Sequence, residues 1–366
     1  MKSDLYPIVL EPIILGKPWG APGKGPALVT GADPALKVGE VWVTADGEYQ
    51  STVGNGPLTG ATLEELRLKW GADLLGQRFA GKEKEPFPLL LKFLHAAEYL
   101  SVQVHPDDKT AVRLEGSGPG KTEAWYILET DPGAKLILGL EPGIDRALLS
   151  KALEQGRVEE VLHSLEINQA ESYYVHAGLL HAIGPGITLF EIQQNIDLTY
   201  RFYDWGRLDA EGNPRGLHLD KALEALDDSG SLIEPFHGLS FEEAGLNKTI
   251  LTAGRYFALE RWEFPSEWTG STDPARFELM TVVKGRGALQ RGETGEVELM
   301  RGLTVLLPAG LGEFRIQGTD GLTVLRSYVP DLATDIVEPL LSRGFASSDI
   351  IKLAGGKRPN DLSRYF

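Results

Sequence analysis

Short apolar runs, each bounded by glycine, proline or a charged residue, recur along most of the chain. They include Gly39–Thr44 (GEVWVT), Pro88–Leu94 (PLLLKFL), Leu100–Val104 (LSVQV), Glu123–Leu128 (EAWYIL) and Lys135–Leu138 (KLIL). Ser172–Val175, Thr188–Gln193 and Leu198–Tyr203 continue the series. Runs this short and this closely punctuated read as strands of a β-sandwich or barrel. Helical periodicity is local. Thr62 and Glu65 form a capping box ahead of Leu63–Leu75. Asp145–Leu165 predicts two short helices parted by Gly156, Leu219–Leu226 another, and Asp107 and Asp108 cap a short one at Lys109–Leu114. Beyond about residue 240 the β pattern resumes at Arg255–Phe264, at Phe277–Val283 (ending in a Gly285/Gly287 turn), at Gly302–Pro308 and at Gly321–Tyr328. From about Asp331 apolar and charged residues mix around a Gly355–Pro359 break, a pattern that fits either a docked helix and strand or partial disorder.

A weak internal repeat suggests two copies of one β-unit. His176-Ala-Gly-Leu-Leu-His181 resembles Pro308-Ala-Gly-Leu-Gly-Glu313, and a short strand precedes each, Glu123–Leu128 and Glu278–Val283. Composition agrees, since 43 glycines and 22 prolines are spread along the 366 residues rather than gathered in a linker. The chain has no cysteine, which excludes disulfides, thiolate metal sites and a cysteine nucleophile, so any metal must be held by nitrogen and oxygen. A formal charge of −16 argues against nucleic-acid and anionic-membrane partners. No apolar run approaches the ~18–20 residues of a membrane span. The first residues, MKSDLYPIVLEP, lack a continuous apolar segment of signal type, so a cytoplasmic protein is the expectation.

The segment LSVQVHPDD holds the densest chemistry. Gln103 and His105 stand two apart on a strand and share a face. Glu123 opens the next clear strand, and His181 follows on a glycine-framed turn. One amide, one carboxylate and two imidazoles suit zinc, manganese, iron or cobalt with room for water or substrate. The same residues also read as a satisfied Gln-x-His pair, an edge-strand charge and a loop histidine, and spacing alone does not choose.

The chain resembles type I phosphomannose isomerases (mannose-6-phosphate isomerases), a family of the cupin superfamily. The similarity lies in LLKFLHAAEYLSVQVHPDD at 90–108, GKTEAWYIL at 120–128 and AGLLHAIGPGITLFEIQQNIDLTYRFYDWGR at 177–207. KPWG at 17–20, GEVWVTA at 39–45 and NGPLTGATLEEL at 55–66 are weaker matches. The resemblance implies two cupin-type jelly-roll units: a metal-bearing catalytic unit over residues 1–235 with helical insertions near 145–167 and 219–227, and a second unit over 236–333 without a metal. Residues 334–366 form a tail of open role.

It further implies one zinc ion per chain, with other divalent metals possible, on Gln103, His105, Glu123 and His181. Lys121, Glu191, Asp197 and Arg201 match polar active-site positions, and Lys92 and Ser101 match positions for substrate phosphate. The implied reaction interconverts mannose 6-phosphate and fructose 6-phosphate through a cis-enediol, so the partner is a small phosphosugar. His176 stands where the second cupin motif usually has proline, and reads as structural.

The residue chemistry is compatible with these roles. A guanidinium such as Arg201 pairs with phosphate or enediolate oxygens. A carboxylate flanked by apolar residues, as Glu191 is, acquires a raised pKa and can act as a base. Lys92 interrupts an apolar run, where a lysine needs an anionic partner. The sequence leaves the base open among Glu191, Asp197, Lys121 and a metal-bound water. GSGPGKT at 116–122 is a near-miss to a nucleotide loop, with Pro119 and no following helix pattern against it. Two other readings, a cupin dioxygenase using iron and a non-catalytic sugar-binding cupin, are disfavoured by the GKTE and TYR strings and by the retention of Lys121 and Arg201. His95 receives no role, and Glu278 and Glu313, without a Gln-x-His before them, predict no second metal.

Overall fold

The computed structural model describes residues 5–22, 33, 35–208, 212–227, 233–292, 295–356 and 359–366. Three sheets dominate it. Six strands form one sheet, in the spatial order Ile13–Pro22, Lys37–Thr44, Leu89–Ala96, Ile187–Gln194, Glu123–Thr130 and Ser172–Val175. Five form a second, in the order Tyr200–Tyr203, Val102–Val104, His181–Ile183, Lys135–Leu140 and Leu162–Glu166. The third holds the strands after residue 238 together with Ile8–Leu10, which crosses from the N-terminal end to pair with Thr304–Leu307.

The six-stranded sheet is covered on both faces, which explains why LLLKFL reads as a continuous apolar run rather than an alternating one. Leu89, Leu91 and Phe93 pack against Phe277, Leu279 and Leu325 of the third sheet. Leu94 and Ala96 face the other way, into a core shared with Leu136, Leu138 and Ile183 of the five-stranded sheet. Lys92 points to that same side. The far face of the five-stranded sheet is covered by Leu149, Val158, Ala222 and Leu226 from the inserted helices and turns.

The capping box forms, with Glu65 N donating to Thr62 Oγ1 at 3.2 Å and Thr62 N donating to Glu65 Oε2 at 2.7 Å. The helix expected over Leu63–Leu75 breaks at Gly71 (φ 49°) into Leu63–Trp70 and Ala72–Leu75. Helices also form at Asp108–Glu115, with Asp107 as cap, and at Leu219–Ala225. Of the two helices expected in Asp145–Leu165, only Arg146–Glu154 forms. The second is replaced by a 3₁₀ turn, Val158–Val161, and a strand, Leu162–Glu166, that pairs with Lys135–Leu140. An otherwise open sheet edge takes those residues, and pairing overrides a weak helical preference. The expected strand start at Arg255 moves to Ala258, because Arg255 and Tyr256 belong to a bend.

The glycines at 285 and 287 do not end a strand. Glu278–Arg291 runs through them and pairs with Glu313–Tyr328, with register shifts at 282–286, and Gly285 at φ 73° absorbs the bulge. The tail docks as helical turns, Leu332–Val337, Glu338–Ser342 and Ser347–Lys352, and buries Ile336, Leu340 and Ile350 against Leu239, Ala258 and Tyr328. Lys357 and Arg358 of the expected break lie outside the described residues. No helix among the described residues is long and apolar enough to cross a membrane.

Candidate metal centre and its cleft

Strand pairing assembles the site from two rows, one on the six-stranded sheet and one on the five-stranded sheet. Across the six-stranded sheet, Trp42 lies opposite Lys92, Lys92 opposite Glu191, and Glu191 opposite Trp125. Across the five-stranded sheet, Arg201 lies opposite Gln103 and Gln103 opposite His181. Residues up to 99 positions apart, as Lys92 and Glu191 are, thereby become neighbours.

His105, Glu123 and His181 are fully buried and bring one ligand atom each within 4.8 Å of one another. Each imidazole donates its Nδ1 proton to a backbone carbonyl, His105 to Leu198 at 2.8 Å and His181 to Leu179 at 2.9 Å. That fixes the tautomer and leaves both Nε2 lone pairs directed at the Glu123 carboxylate, 3.5 Å from Oε2 and 3.3 Å from Oε1. Burial, with the charge of Lys121 added, holds His105 well below its ordinary pKa, and burial pulls His181 down to about 4, so both rings are neutral. His105 Nε2 and both Glu123 oxygens lack a hydrogen bond. A buried point surrounded by acceptors is costly unless a cation occupies it, and the nitrogen and oxygen donors suit a divalent metal such as zinc. Gln103 completes the set: its amide lies 3.3 Å from His181 Nε2, and a half-turn of that amide presents Oε1 to the same point.

Lys121 Nζ stands 3.0 Å from Glu123 Oε2. Lys92 Nζ lies 3.4 Å from Glu191 and 4.0 Å from Glu40. Burial opposes the Lys92 charge, but the Glu191 and Glu40 carboxylates outweigh it and hold its pKa above the ordinary lysine value. Burial, reinforced by Glu123, raises Glu191, whose Oε2 accepts from Trp125 Nε1 at 3.0 Å. Asp197 goes the other way: burial would raise it, yet Lys92 and Lys121 keep its pKa depressed. Arg201 donates Nη1 to Gly216 O at 2.9 Å, while its buried Nε has no hydrogen bond.

These residues line a cleft of about 280 Å³, with Lys92, Ser101, Gln103, Lys121, Glu191, Asp197 and Arg201 all on its walls. The His105–Glu123–His181 cluster adjoins it through Gln103 and Lys121. All ten residues singled out in the sequence are therefore brought together. Lys17, Glu40 and Arg215 also line the cleft and were not singled out. Lys17 and Glu40, paired at 3.1 Å, lie in the KPWG and GEVWVTA segments, where a charge set among apolar residues was the available signal. Arg215, held by Asp204 at 2.7 Å, sits in irregular chain that carries no pattern. His95 pairs with Thr188 Oγ1 at 2.9 Å, and His176 Nδ1 bonds the Ala177 carbonyl at 2.9 Å on the wall of another cavity.

The fold and the buried donor set define a mainly β, cupin-type protein with a buried cluster suited to a divalent metal. A family profile described as phosphomannose isomerase type I, catalytic domain, matches residues 9–124, and one described as mannose-6-phosphate isomerase, cupin domain, matches residues 247–329. The mannose-6-phosphate isomerase ManA of Bacillus subtilis is 36% identical over 314 residues, covering 85% of this chain and 96% of the relative. That of Streptococcus mutans is 32% identical, covering 78% and 87%. The crystal structure of the Bacillus subtilis mannose 6-phosphate isomerase superposes with a TM-score of 0.78 at 34% identity, covering 88% of this chain and 99% of that one. A zinc-bound mannose 6-phosphate isomerase shares the fold at 16% identity and a TM-score of 0.67, covering 89% and 100%. The chain belongs to the type I mannose-6-phosphate isomerase family of enzymes.

Proposed function

We propose that this chain interconverts mannose 6-phosphate and fructose 6-phosphate through a cis-enediol, with one zinc ion per chain held by Gln103, His105, Glu123 and His181 in a catalytic unit spanning residues 1–235. The observation that supports this most directly is the convergence of unsatisfied buried acceptors beside a cleft lined by five cations and three carboxylates. Such a cleft gives a phosphosugar local positive charge within an acidic protein. When bound, the metal supplies Lewis acidity toward the oxygens on C1 and C2.

The chain's own groups carry the proton transfers. Glu191, raised by burial, suits uptake of the C2 proton and its return to C1. Lys121 and Arg201 face the negative charge that develops on the carbonyl oxygen. Asp197, held ionised by Lys92 and Lys121, adds negative charge that favours the Lys92 ammonium. The phosphate is met by Ser101, with Lys92 contributing positive charge. In the test, chelator-stripped protein is given mannose 6-phosphate with and without zinc in a coupled assay. Fructose 6-phosphate is expected only with metal, and its absence under every divalent metal overturns the proposal. His105→Ala is expected to lose metal, and Arg201→Ala to keep metal but lose turnover. Metal loss in the Arg201 variant overturns that division of roles.

A further inference from the structure

The positive charge of the catalytic cleft is unevenly spent. Its three lysines each lie beside a carboxylate: Lys17 is 3.1 Å from Glu40, Lys92 3.4 Å from Glu191 and Lys121 3.0 Å from Glu123. Its arginines do not divide so evenly. Arg215 donates Nε and Nη2 to Asp204, each at 2.7 Å, and Arg207 donates Nη2 to the same carboxylate at 2.6 Å. Arg207 Nε and Nη1 are buried without a hydrogen bond, so among the described residues no second carboxylate relieves that guanidinium. Arg201 stands beside the pair: burial depresses its pKa first, and the charges of Arg215 and Arg207 depress it further. Three guanidiniums thus share one carboxylate, and this end of the cleft carries an excess of positive charge.

The turn that holds Asp204 is firmly fixed. Trp205 takes φ 56°, a left-handed conformation that is costly for a bulky side chain. Its indole keeps it there. Nε1 donates to Leu100 O at 2.7 Å, and the ring lies against Tyr99 and Tyr203, with centroids 4.5 and 5.3 Å away. Leu100 adjoins Ser101, so the turn is tied to the segment that brings Ser101 to the cleft. One donor is left over. Arg215 Nη1 has no hydrogen bond among the described residues, the side chain is 26% exposed, and the residue lines the cleft with Ser101 and Arg201. A phosphate monoester brings a charge of about −1.5 to −2 and acceptor oxygens, which match the excess charge and the accessible donor.

We propose that Arg215 is a further substrate-binding residue: with Nε and Nη2 locked on Asp204, it presents Nη1 to the phosphate that Ser101 meets. The identity of the ester rests on the function proposed above; the anion site does not. A lysine has a single nitrogen and does not serve Asp204 and the phosphate together. Mannitol 1-phosphate, which carries the phosphate without a carbonyl, binds without turnover and is titrated calorimetrically into the zinc-loaded protein. Arg215→Met and Arg215→Lys, checked for zinc content and Tm, are expected to weaken it about 10–100-fold. KM for mannose 6-phosphate should rise by a similar factor while kcat stays nearly unchanged. Arg215→Lys keeps a charge for Asp204 and provides a folded variant should Arg215→Met not fold. No binding by the wild type, undiminished affinity in either folded variant, or a loss confined to kcat overturns the proposal. If the wild type binds the ester but forms no fructose 6-phosphate, the isomerase reading fails, and weakened ester binding in the variants still upholds the arginine site.

Discussion

Asp108 touches neither the metal ligands nor the cleft, yet it anchors the strap Gly120–Glu123 that delivers Lys121 and Glu123. Its Oδ1 accepts from Gly120 N at 2.8 Å and from Gln194 Nε2 at 3.1 Å, and its Oδ2 accepts from Tyr256 Oη at 2.6 Å. The strap is tied at two further points, Lys121 N to Pro106 O and Thr122 N to Gln194 Oε1, each at 2.9 Å. Asp108→Ala removes three hydrogen bonds to a charged acceptor, each worth about 1.5–3 kcal/mol where buried. Asp108 is half-buried, so water replaces part of them and the expected loss of stability is about 2 kcal/mol in all.

The effect on catalysis is larger, because a misplacement of ~1 Å at reacting groups costs about 100-fold. We expect kcat of Asp108→Ala to fall ~10–100-fold. Asp108→Asn keeps an acceptor for Gly120 and recovers most of that. Tyr256→Phe, which loses one bond, costs about 1 kcal/mol and less than ten-fold in rate. The measurement is kcat and KM on zinc-loaded variants, with metal content and urea denaturation in parallel. Full turnover in Asp108→Ala with metal retained would refute the anchoring role, and Asn behaving no better than Ala would show that hydrogen bonding is not the cause.

Gly120→Ala should be as damaging, since a Cβ there would lie 2.5 Å from Asp108 N and 2.6 Å from Pro106 O, both backbone atoms; wild-type kcat in that variant would show that the strap tolerates displacement. Chelation is expected to lower Tm and zinc to restore it, because the acceptors around Glu123 lose their counter-charge; an unchanged Tm after verified metal loss would count against the site. Arg326→Met leaves Glu260 and Glu278 buried without their partner and should destabilise by about 3–5 kcal/mol in urea. In the wild type burial pushes the Glu260 pKa up but Arg326 more than offsets it, so the pKa is depressed and its stabilisation holds above the unfolded-state pKa and fades as pH falls. Without Arg326 the carboxyl pKa rises and the variant takes up protons on folding. The gap between variant and wild type should therefore narrow from about pH 8 to about pH 5, and a constant or widening gap would contradict the pairing.

Strands were legible wherever burial imposes a local pattern. Leu89–Ala96 shows as an apolar run because both of its faces are covered, and the lysine inside it marks the site. Capping chemistry was equally local, as at Thr62 and Asp107. Elements chosen by partners elsewhere were not legible. Leu162–Glu166 is a strand because Lys135–Leu140 needs a neighbour. Glu278–Arg291 continues past its glycines because Glu313–Tyr328 pairs along its length. The tail is helical where its apolar residues meet Tyr328 and Ala258.

For the site, residue type and order within LSVQVHPDD, GKTEAWYIL and the 177–207 segment determined by themselves which ten side chains to examine and which family they resemble. The sequence also limited any metal to nitrogen and oxygen ligands. Only the tertiary structure decided that Arg201, Gln103 and His181 form one row across a sheet, that Glu123 sits between two neutral imidazoles with Lys121 as its ion-pair partner, and that Tyr256 reaches across to steady the strap. The reason is that ligand identity is a property of single residues, whereas convergence, desolvation and the resulting pKa values depend on which strands pair and which faces they bury.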